Sequence, residues 1–236
     1  MGKSKKFVSE NNSHKELISR DGRLIKETTP SAIQSKKLIA VEGQDEVHFL
    51  NKLLKKMKIQ EVEVREVGGV DKLPKKIPAL VRTRGFSDVE VFAIIRDADN
   101  KNAESAFRSV KNLLANEELL KPGKLPDKPG QFSNGNPRIG IFIMPDNSSQ
   151  GMLEDLCLQS VKDHPVKECV DDFIKCTEKR VDTSKKPRNL AKAKVQAFLA
   201  VMPEIANSVG IAAEKDYWNF NSKEFSKLKS FLNNLK

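Results

Sequence analysis

The sequence predicts an α/β protein, with a parallel sheet flanked by helices and a helical C-terminal extension. Short apolar runs alternate with helical periodicity across residues 37–150, whereas residues 151–236 show helical patterns alone. Strands that alternate with helices pair in parallel, because each helix returns the chain to the same end of the sheet. We therefore expect a flexible polar N-terminal arm over residues 1–36, an α/β core over residues 37–150, and a helical part over residues 151–236 that packs on the core.

Hydrophobic periodicity defines the predicted elements of the core. Leu38–Val41 and Val89–Ile95 are apolar runs typical of buried parallel strands, and Val62–Val67 alternates as a half-buried strand does. A fourth strand is predicted at Arg138–Met144, after a long loop rich in Pro, Gly and Lys. Stripes of apolar residues at helical spacing predict the helices of the core at Asp45–Met57, Lys72–Thr83 and Ala103–Glu117.

The two ends of the chain carry further local signals. In the arm, Arg20-Asp21-Gly22 is a turn signal that predicts a short hairpin over Leu17–Glu27. Beyond the core, helical spacing of apolar residues predicts four helices, at Met152–Lys162, Val166–Lys179, Leu190–Met202 and Phe225–Leu235.

Composition excludes several classes of protein. Hydrophobic residues make up 38% of the chain and the mean hydropathy is −0.50, and no apolar run approaches the ~18 residues of a membrane span. The N-terminus has no apolar stretch of the kind that marks a secretion signal. Cysteines number three, at Cys157, Cys169 and Cys176, without C-x-x-C spacing. We therefore expect a cytoplasmic protein with reduced thiols, no structural zinc site and no membrane partner.

The positive charge of the chain is concentrated in two segments. The net charge is +10; residues 1–37 hold nine Lys or Arg against four Asp or Glu, and residues 179–194 hold seven Lys or Arg against one Asp. Such blocks attract polyanions, and nucleic acid is the usual one, although a merely solvated surface would have the same composition. We interpret Lys185, Lys186 and Arg188 as candidate nucleic-acid-binding residues.

Carboxylates follow two of the predicted strands where each strand ends. Glu42 follows the first strand and Glu46 lies one helical turn later, while Asp97 and Asp99 close the third strand as D-x-D. Parallel strands deliver their carboxyl ends to one edge of the sheet, so these four residues are expected to form one acidic cluster. Carboxylate oxygens are the ligands that Mg²⁺ prefers. Acids near a helix start are also favoured by the helix dipole, but the two motifs together favour a metal site.

Two further residues, Gly43 and Asp146, lie at or near the ends of predicted strands. Gly43 is expected where the chain turns sharply, because glycine has no Cβ. Asp146 ends the fourth strand but precedes Asn147-Ser148-Ser149, so a turn role competes evenly with a role at the site.

These motifs resemble those of the Toprim domain, which primases, topoisomerases, recombination mediators and OLD-type nucleases share. The resemblance covers Leu38 to about Asp146 and rests on the Glu-Gly after the first strand, the acid four residues on, and the D-x-D. It is greatest to an uncharacterised Toprim-like bacterial family related to OLD-type nucleases. It implies a further metal ligand at Glu154 and a catalytic lysine at Lys192 or Lys194. The ATPase domain that accompanies OLD nucleases has no counterpart here.

The resemblance and the charge together imply metal-dependent phosphodiester hydrolysis on DNA or RNA. One or two Mg²⁺ or Mn²⁺ ions would bind Glu42, Glu46, Asp97, Asp99 and Glu154. Glu42 and one of the two lysines would act in catalysis. Two alternatives stay open: a non-catalytic Toprim module that binds nucleic acid or protein, and a metal-dependent phosphatase. Nucleic acid is the expected partner, and a homo-oligomer or a protein partner stays open.

Overall fold

The computed structural model describes residues 16–18, 24–26, 31–120 and 125–236. The chain divides into two compact units, Met1–Ala32 and Ile33–Lys236. In the first unit, strand β1 (Glu16–Ile18) pairs antiparallel with β2 (Leu24–Lys26), where the sequence predicts a hairpin. Most of the polar arm predicted over residues 1–36, including the turn of that hairpin, lies outside the described residues.

The second unit is built on a four-stranded parallel sheet, which confirms the predicted α/β fold class. Its strands lie in the order β4-β3-β5-β6. Because β4 pairs with one edge of β3 and the chain then crosses to its other edge, the winding direction reverses between β3 and β5. Clefts for ligands in such sheets form at this reversal, outside the carboxyl ends of the strands. The strands are β3 (Lys37–Val41), β4 (Val62–Glu66), β5 (Val91–Asp97) and β6 (Arg138–Met144).

The helices agree with the predicted periodicity to within a few residues, with one addition. A short helix at Val209–Glu214, capped by the Ser208 hydroxyl, was not predicted because its six residues are too few for a periodic stripe. The described helices are α1 (Gln44–Lys56), α2 (Leu73–Val81), α3 (Ala103–Ala115), α4 (Leu153–Ser160), α5 (Val166–Arg180), α6 (Leu190–Leu199), α7 (Val209–Glu214) and α8 (Ser226–Asn233).

The sheet separates two hydrophobic cores, because successive side chains of a strand point to opposite faces. On one face, Ile39 and Val41 pack with α1 and the C-terminal helices. On the other, Leu38 and Ala40 pack with α2 and α3. This alternation decides on which side of the sheet each residue at the end of a strand lies.

The aromatic residues near the C-terminus belong to the first of these cores. Trp218 is buried, its indole N–H donates to the carbonyl of Val209 at 3.0 Å, and its ring stacks on Phe198. This placement leaves the ring unavailable for stacking on a nucleobase. No helix in the part of the chain that the structure describes has the length and apolarity needed to cross a bilayer.

Candidate active site

A cleft of about 440 Å³ lies at the carboxyl ends of β3 and β5, where the winding direction reverses. Its walls are mostly polar, and six of the residues that line it are acidic. We call it the acidic cleft. Its lining residues are Glu42, Gly43, Gln44, Asp45, Glu46, Asp97, Asp99, Glu154 and Lys192.

The structure brings all four carboxylates of the two sequence motifs into this cleft, together with Glu154. Of the two candidate lysines, Lys192 lines the cleft and Lys194 does not. Lys194 lies on the other side of α6, where its Nζ is 3.1 Å from Oδ1 of Asp171 on α5. The two lysines therefore occupy different environments although they are two residues apart.

Glu42 is held by a buried arginine that the sequence motifs did not assign. Arg96 is 4% exposed, and its Nε lies 3.5 Å from Oε1 of Glu42. The contact follows from the parallel register, in which Ala40 pairs with Ile94, so that the next pair on this face is Glu42 and Arg96. The sequence did contain one signal for this contact, an arginine inside an otherwise apolar strand, because a buried cation needs an acidic partner.

Glu46 lies over the backbone at the start of α1. A Cβ added to Gly43 would lie 3.0 Å from Oε2 of Glu46. The chain bends at Glu42 and Gly43, as expected, but Gly43 itself is extended, with φ −144° and ψ 177°, a conformation that any residue can adopt. Glycine is favoured here because the carboxylate of Glu46 approaches the backbone closely.

Asp97 joins the sheet to α4. Its Oδ1 accepts a hydrogen bond of 3.1 Å from the backbone N–H of Leu153, the first residue of that helix. The unpaired N–H groups at a helix start make a favourable acceptor position for a carboxylate. This bond brings Glu154, in the first turn of α4, to the cleft.

Asp99 is fixed through its backbone. It exchanges two backbone hydrogen bonds with Gly151, of 2.9 and 3.0 Å. Asp99 has φ +54° and Gly151 has φ +129°, and the second value lies in a region that side chains other than glycine rarely adopt. The bridge holds the D-x-D loop against the segment that leads into α4.

The carboxylates of the cleft are short of positive charge. The pKa of Glu42 is raised to about 7, mainly by burial and also by the nearby charges of Asp99 and Glu46, against the opposing effect of Arg96. Burial also raises the pKa of Asp97 well above its usual range, with additional contributions from Glu46, Glu42, Glu154 and Asp99. Mutual repulsion of this kind is relieved by protonation or by a bound cation.

Two other acids of the cleft wall, Glu46 and Glu154, also have raised pKa values. Burial is the main cause that raises the pKa of Glu46 and of Glu154, and Lys192 opposes the shift of Glu154. The Lys192 Nζ lies 3.7 Å from Oε1 of Glu154, with side chains that are 63% and 13% exposed. Lys192 can therefore swing toward an anion without breaking a buried contact.

Asp155, beside Glu154, has a different role. Its Oδ2 accepts the backbone N–H of Met152 at 2.9 Å and thereby caps the start of α4. Since this carboxylate already binds the helix end, we assign it to folding and leave it out of the candidate ligands.

The basic segment, residues 179–194, runs from the end of α5 into α6. Lys185 and Arg188 are exposed and Lys186 is half-buried. None of the three forms an ion pair with another described residue. Lys192, which lines the acidic cleft, lies on the helix that begins two residues after Arg188, so the three residues are near the cleft in the sequence.

The donor chemistry of the cleft suits a hard divalent cation. Its acids offer carboxylate oxygens, the ligands typical of Mg²⁺ and Mn²⁺, and their raised pKa values show that their charge is uncompensated. Among the described residues, no three His, Cys, Asp or Glu side chains form a metal-ligand group as they stand. Binding an ion would therefore require the carboxylates on the cleft wall to rotate inward.

A model of a protein family, described as a protein of unknown function (DUF3226), matches residues 36–236 of the chain. The chain belongs to the DUF3226 family. The match includes every residue of the acidic cleft and the basic segment. No curated protein gives a significant match to the chain.

The DUF3226 chain also has similar solved structures. One is a hypothetical protein from Pyrococcus horikoshii OT3, with 14% identity and a TM-score of 0.49, covering 84% of this chain and 97% of that one. Another is the C-terminal region of the OLD protein from Xanthomonas campestris pv. campestris, with 15% identity and a TM-score of 0.43, covering 85% of this chain and 94% of that one.

Proposed function

We propose that this protein is a Toprim-like nuclease that hydrolyses phosphodiester bonds in DNA or RNA with the help of Mg²⁺ or Mn²⁺. The observation that carries the proposal is the acidic cleft, which gathers Glu42, Glu46, Asp97, Asp99 and Glu154 from separate segments. These residues match the motifs of the Toprim domain, and the DUF3226 match gives no activity of its own.

The same five carboxylates would hold one or two divalent ions. When bound, such ions stabilise the negative charge that develops on the attacking and leaving oxygens of a phosphodiester. Arg96 contributes by fixing Glu42, whose Oε1 also accepts the backbone N–H of Asp97 at 3.3 Å. The two ends of β3 and β5 are thereby held in one arrangement.

Lys192 is the residue best placed to contact the phosphate itself. It is the one cation among the described residues that line the acidic cleft. A mobile ammonium group at this position can offset charge on a phosphoryl oxygen in the transition state. Lys194, which pairs with Asp171, serves as its matched control on the same helix.

Incubation with Mn²⁺ and four substrates tests the proposal: supercoiled plasmid, linear DNA, single-stranded DNA and labelled RNA. We expect cleavage of at least one substrate, and slower cleavage at saturating substrate for Lys192→Ala than for Lys194→Ala. Binding of Mn²⁺ is measured in parallel by calorimetry. A protein that binds Mn²⁺ but cleaves none of these substrates would contradict the nuclease proposal and favour a non-catalytic binding module.

The basic segment is proposed to bind the nucleic-acid backbone. Neutralising phosphates releases counterions, so affinity should fall steeply as salt rises. Replacing Lys185, Lys186 and Arg188 together with Glu should weaken binding and reduce the salt slope by about 2–3, one unit or slightly less for each contact. An unchanged slope would mean that the segment is only a solvated surface.

A further inference from the structure

A second polar pocket lies near the acidic cleft, on the face of the sheet that packs against α2 and α3. Its volume is about 430 Å³, and its lining combines three cations with short polar side chains. We call it the α3 pocket, because most of its wall belongs to one face of helix α3. Its polar lining residues are Arg96, Lys101, Ser105, Arg108, Ser109 and Asn112.

Arg96 connects the two sites. Its Nε donates to the carbonyl of Asp97 at 3.2 Å and lies near Glu42. The two terminal amino groups of Arg96 donate no hydrogen bond to another described residue. A guanidinium carries five N–H donors in a planar fork that matches the oxygens of a phosphate. A buried arginine with four unused donors therefore lies at the base of a pocket.

The rest of the α3 pocket also favours an anion. Lys101 is exposed and forms no ion pair with another described residue. Arg108 has Glu104 as a partner, at 3.4 Å, but both side chains are more than half exposed, so the pair is weak. Ser105 and Ser109 lie four residues apart on α3, on the face that lines the pocket. No carboxylate is among the described residues that line it.

We propose that the α3 pocket binds a phosphate group, with Arg96 and Lys101 as its principal contacts. This phosphate would belong to the bound strand, next to the bond that is cut. This part of the inference rests on the proposed function. A free phosphate ion has the same chemistry, so the experiment must distinguish the two sources. Arg96 would then position the substrate on one side while it orients Glu42 on the other.

The test compares Lys101→Glu with Lys55→Glu, without divalent metal. Lys55 is also exposed, but it lies in the last turn of α1, at the end of the sheet remote from both sites. Binding of a labelled single-stranded oligonucleotide is measured by anisotropy, and binding of inorganic phosphate by calorimetry. Ser109→Asp, which places a carboxylate in the same pocket, is a second variant, and thermal unfolding shows that each variant is folded.

We expect Lys101→Glu and Ser109→Asp to weaken oligonucleotide binding by about tenfold or more, and Lys55→Glu by about twofold at most. If no nucleic acid binds but inorganic phosphate binds in a Lys101-dependent way, the pocket is supported and the proposed nuclease function fails. If the two pocket variants lose no more affinity than Lys55→Glu for either ligand, the α3 pocket is not a phosphate site.

Discussion

Asp97 is the last residue of β5 and Asp146 lies two residues beyond the end of the neighbouring strand β6, yet the chemistry of these two acids is opposite. Asp146 lies in a turn, where its Oδ1 accepts the N–H groups of Ser148 and Ser149 at 3.0 and 2.8 Å. Burial tends to raise the pKa of Asp146, but these bonds and Lys227 lower it to about 2. Asp97 has one backbone donor and four carboxylates around it, and its pKa rises.

The comparison separates a structural acid, Asp146, from a candidate metal ligand, Asp97. A carboxylate whose oxygens are filled by hydrogen bonds stabilises the fold and has little left to offer a ligand. A carboxylate that is buried among like charges destabilises the metal-free fold, and such sites are enriched at centres of function.

Glu42→Gln should reduce cleavage by about a thousandfold, because cation-stabilised charge in the transition state is worth several kcal/mol. Asp146→Asn, assayed where the variant is folded, should cleave at a rate close to that of the wild type. The measurement is a Mn²⁺ time course at saturating substrate. Equal losses in both variants would remove the distinction between the two acids.

The metal-free protein should lose stability as pH rises from about 4.5 to 7. The folded-state pKa of Glu42 is about 7, above its unfolded value of about 4.3, so the folded state holds this proton more tightly. Its contribution is present below the unfolded pKa and is lost as pH rises through the folded pKa. The loss amounts to up to about 3 kcal/mol. Urea unfolding in a chelator should show a flatter profile for Glu42→Gln.

Mn²⁺ should raise the unfolding free energy by about 2.7 kcal/mol at a hundredfold excess over its Kd. The double variant Asp97→Ala with Asp99→Ala should abolish this gain, and Asp146→Asn should retain it. Thermal unfolding with and without Mn²⁺ measures the effect. A full gain in the double variant would place the ion elsewhere.

Asp146→Asn should lower the unfolding free energy at pH 7 by about 1 kcal/mol, because it removes a charged acceptor of several hydrogen bonds. Asp97→Asn keeps an oxygen for the N–H of Leu153 and removes a buried charge, so it should be neutral or stabilising without metal. Urea unfolding of both variants checks this smallest difference. The wild-type advantage over Asp146→Asn should disappear as pH falls toward 2, since the pKa of Asp146 is lowered.

Sequence patterns predicted most of the fold because the strands are short and apolar and the helices carry clear stripes. They also located four acids of the cleft, Glu42, Glu46, Asp97 and Asp99, since a strand end is visible in the sequence. The family resemblance implied Glu154, and Asp45 was not predicted. They missed α7, which is too short to show a period, and Arg96, whose partner Glu42 is near it only through the parallel register. The sequence could not decide between Lys192 and Lys194, because the choice depends on which side of α6 faces the cleft. It could not decide the role of Asp146 either, because that role depends on hydrogen bonds in a turn that composition does not reveal.

The D-x-D loop is held by Gly151 and Leu153, about fifty residues further along the chain. Glu154 and Lys192 come later still. During synthesis from the N-terminus, the ribosome releases β3 and β5 well before the segments that complete the cleft. A nascent chain that ends near residue 150 would carry Glu42, Asp97 and Asp99 without their supports. The order of the sequence therefore delays the assembly of the acidic cleft until segments well beyond the four-stranded sheet have been made.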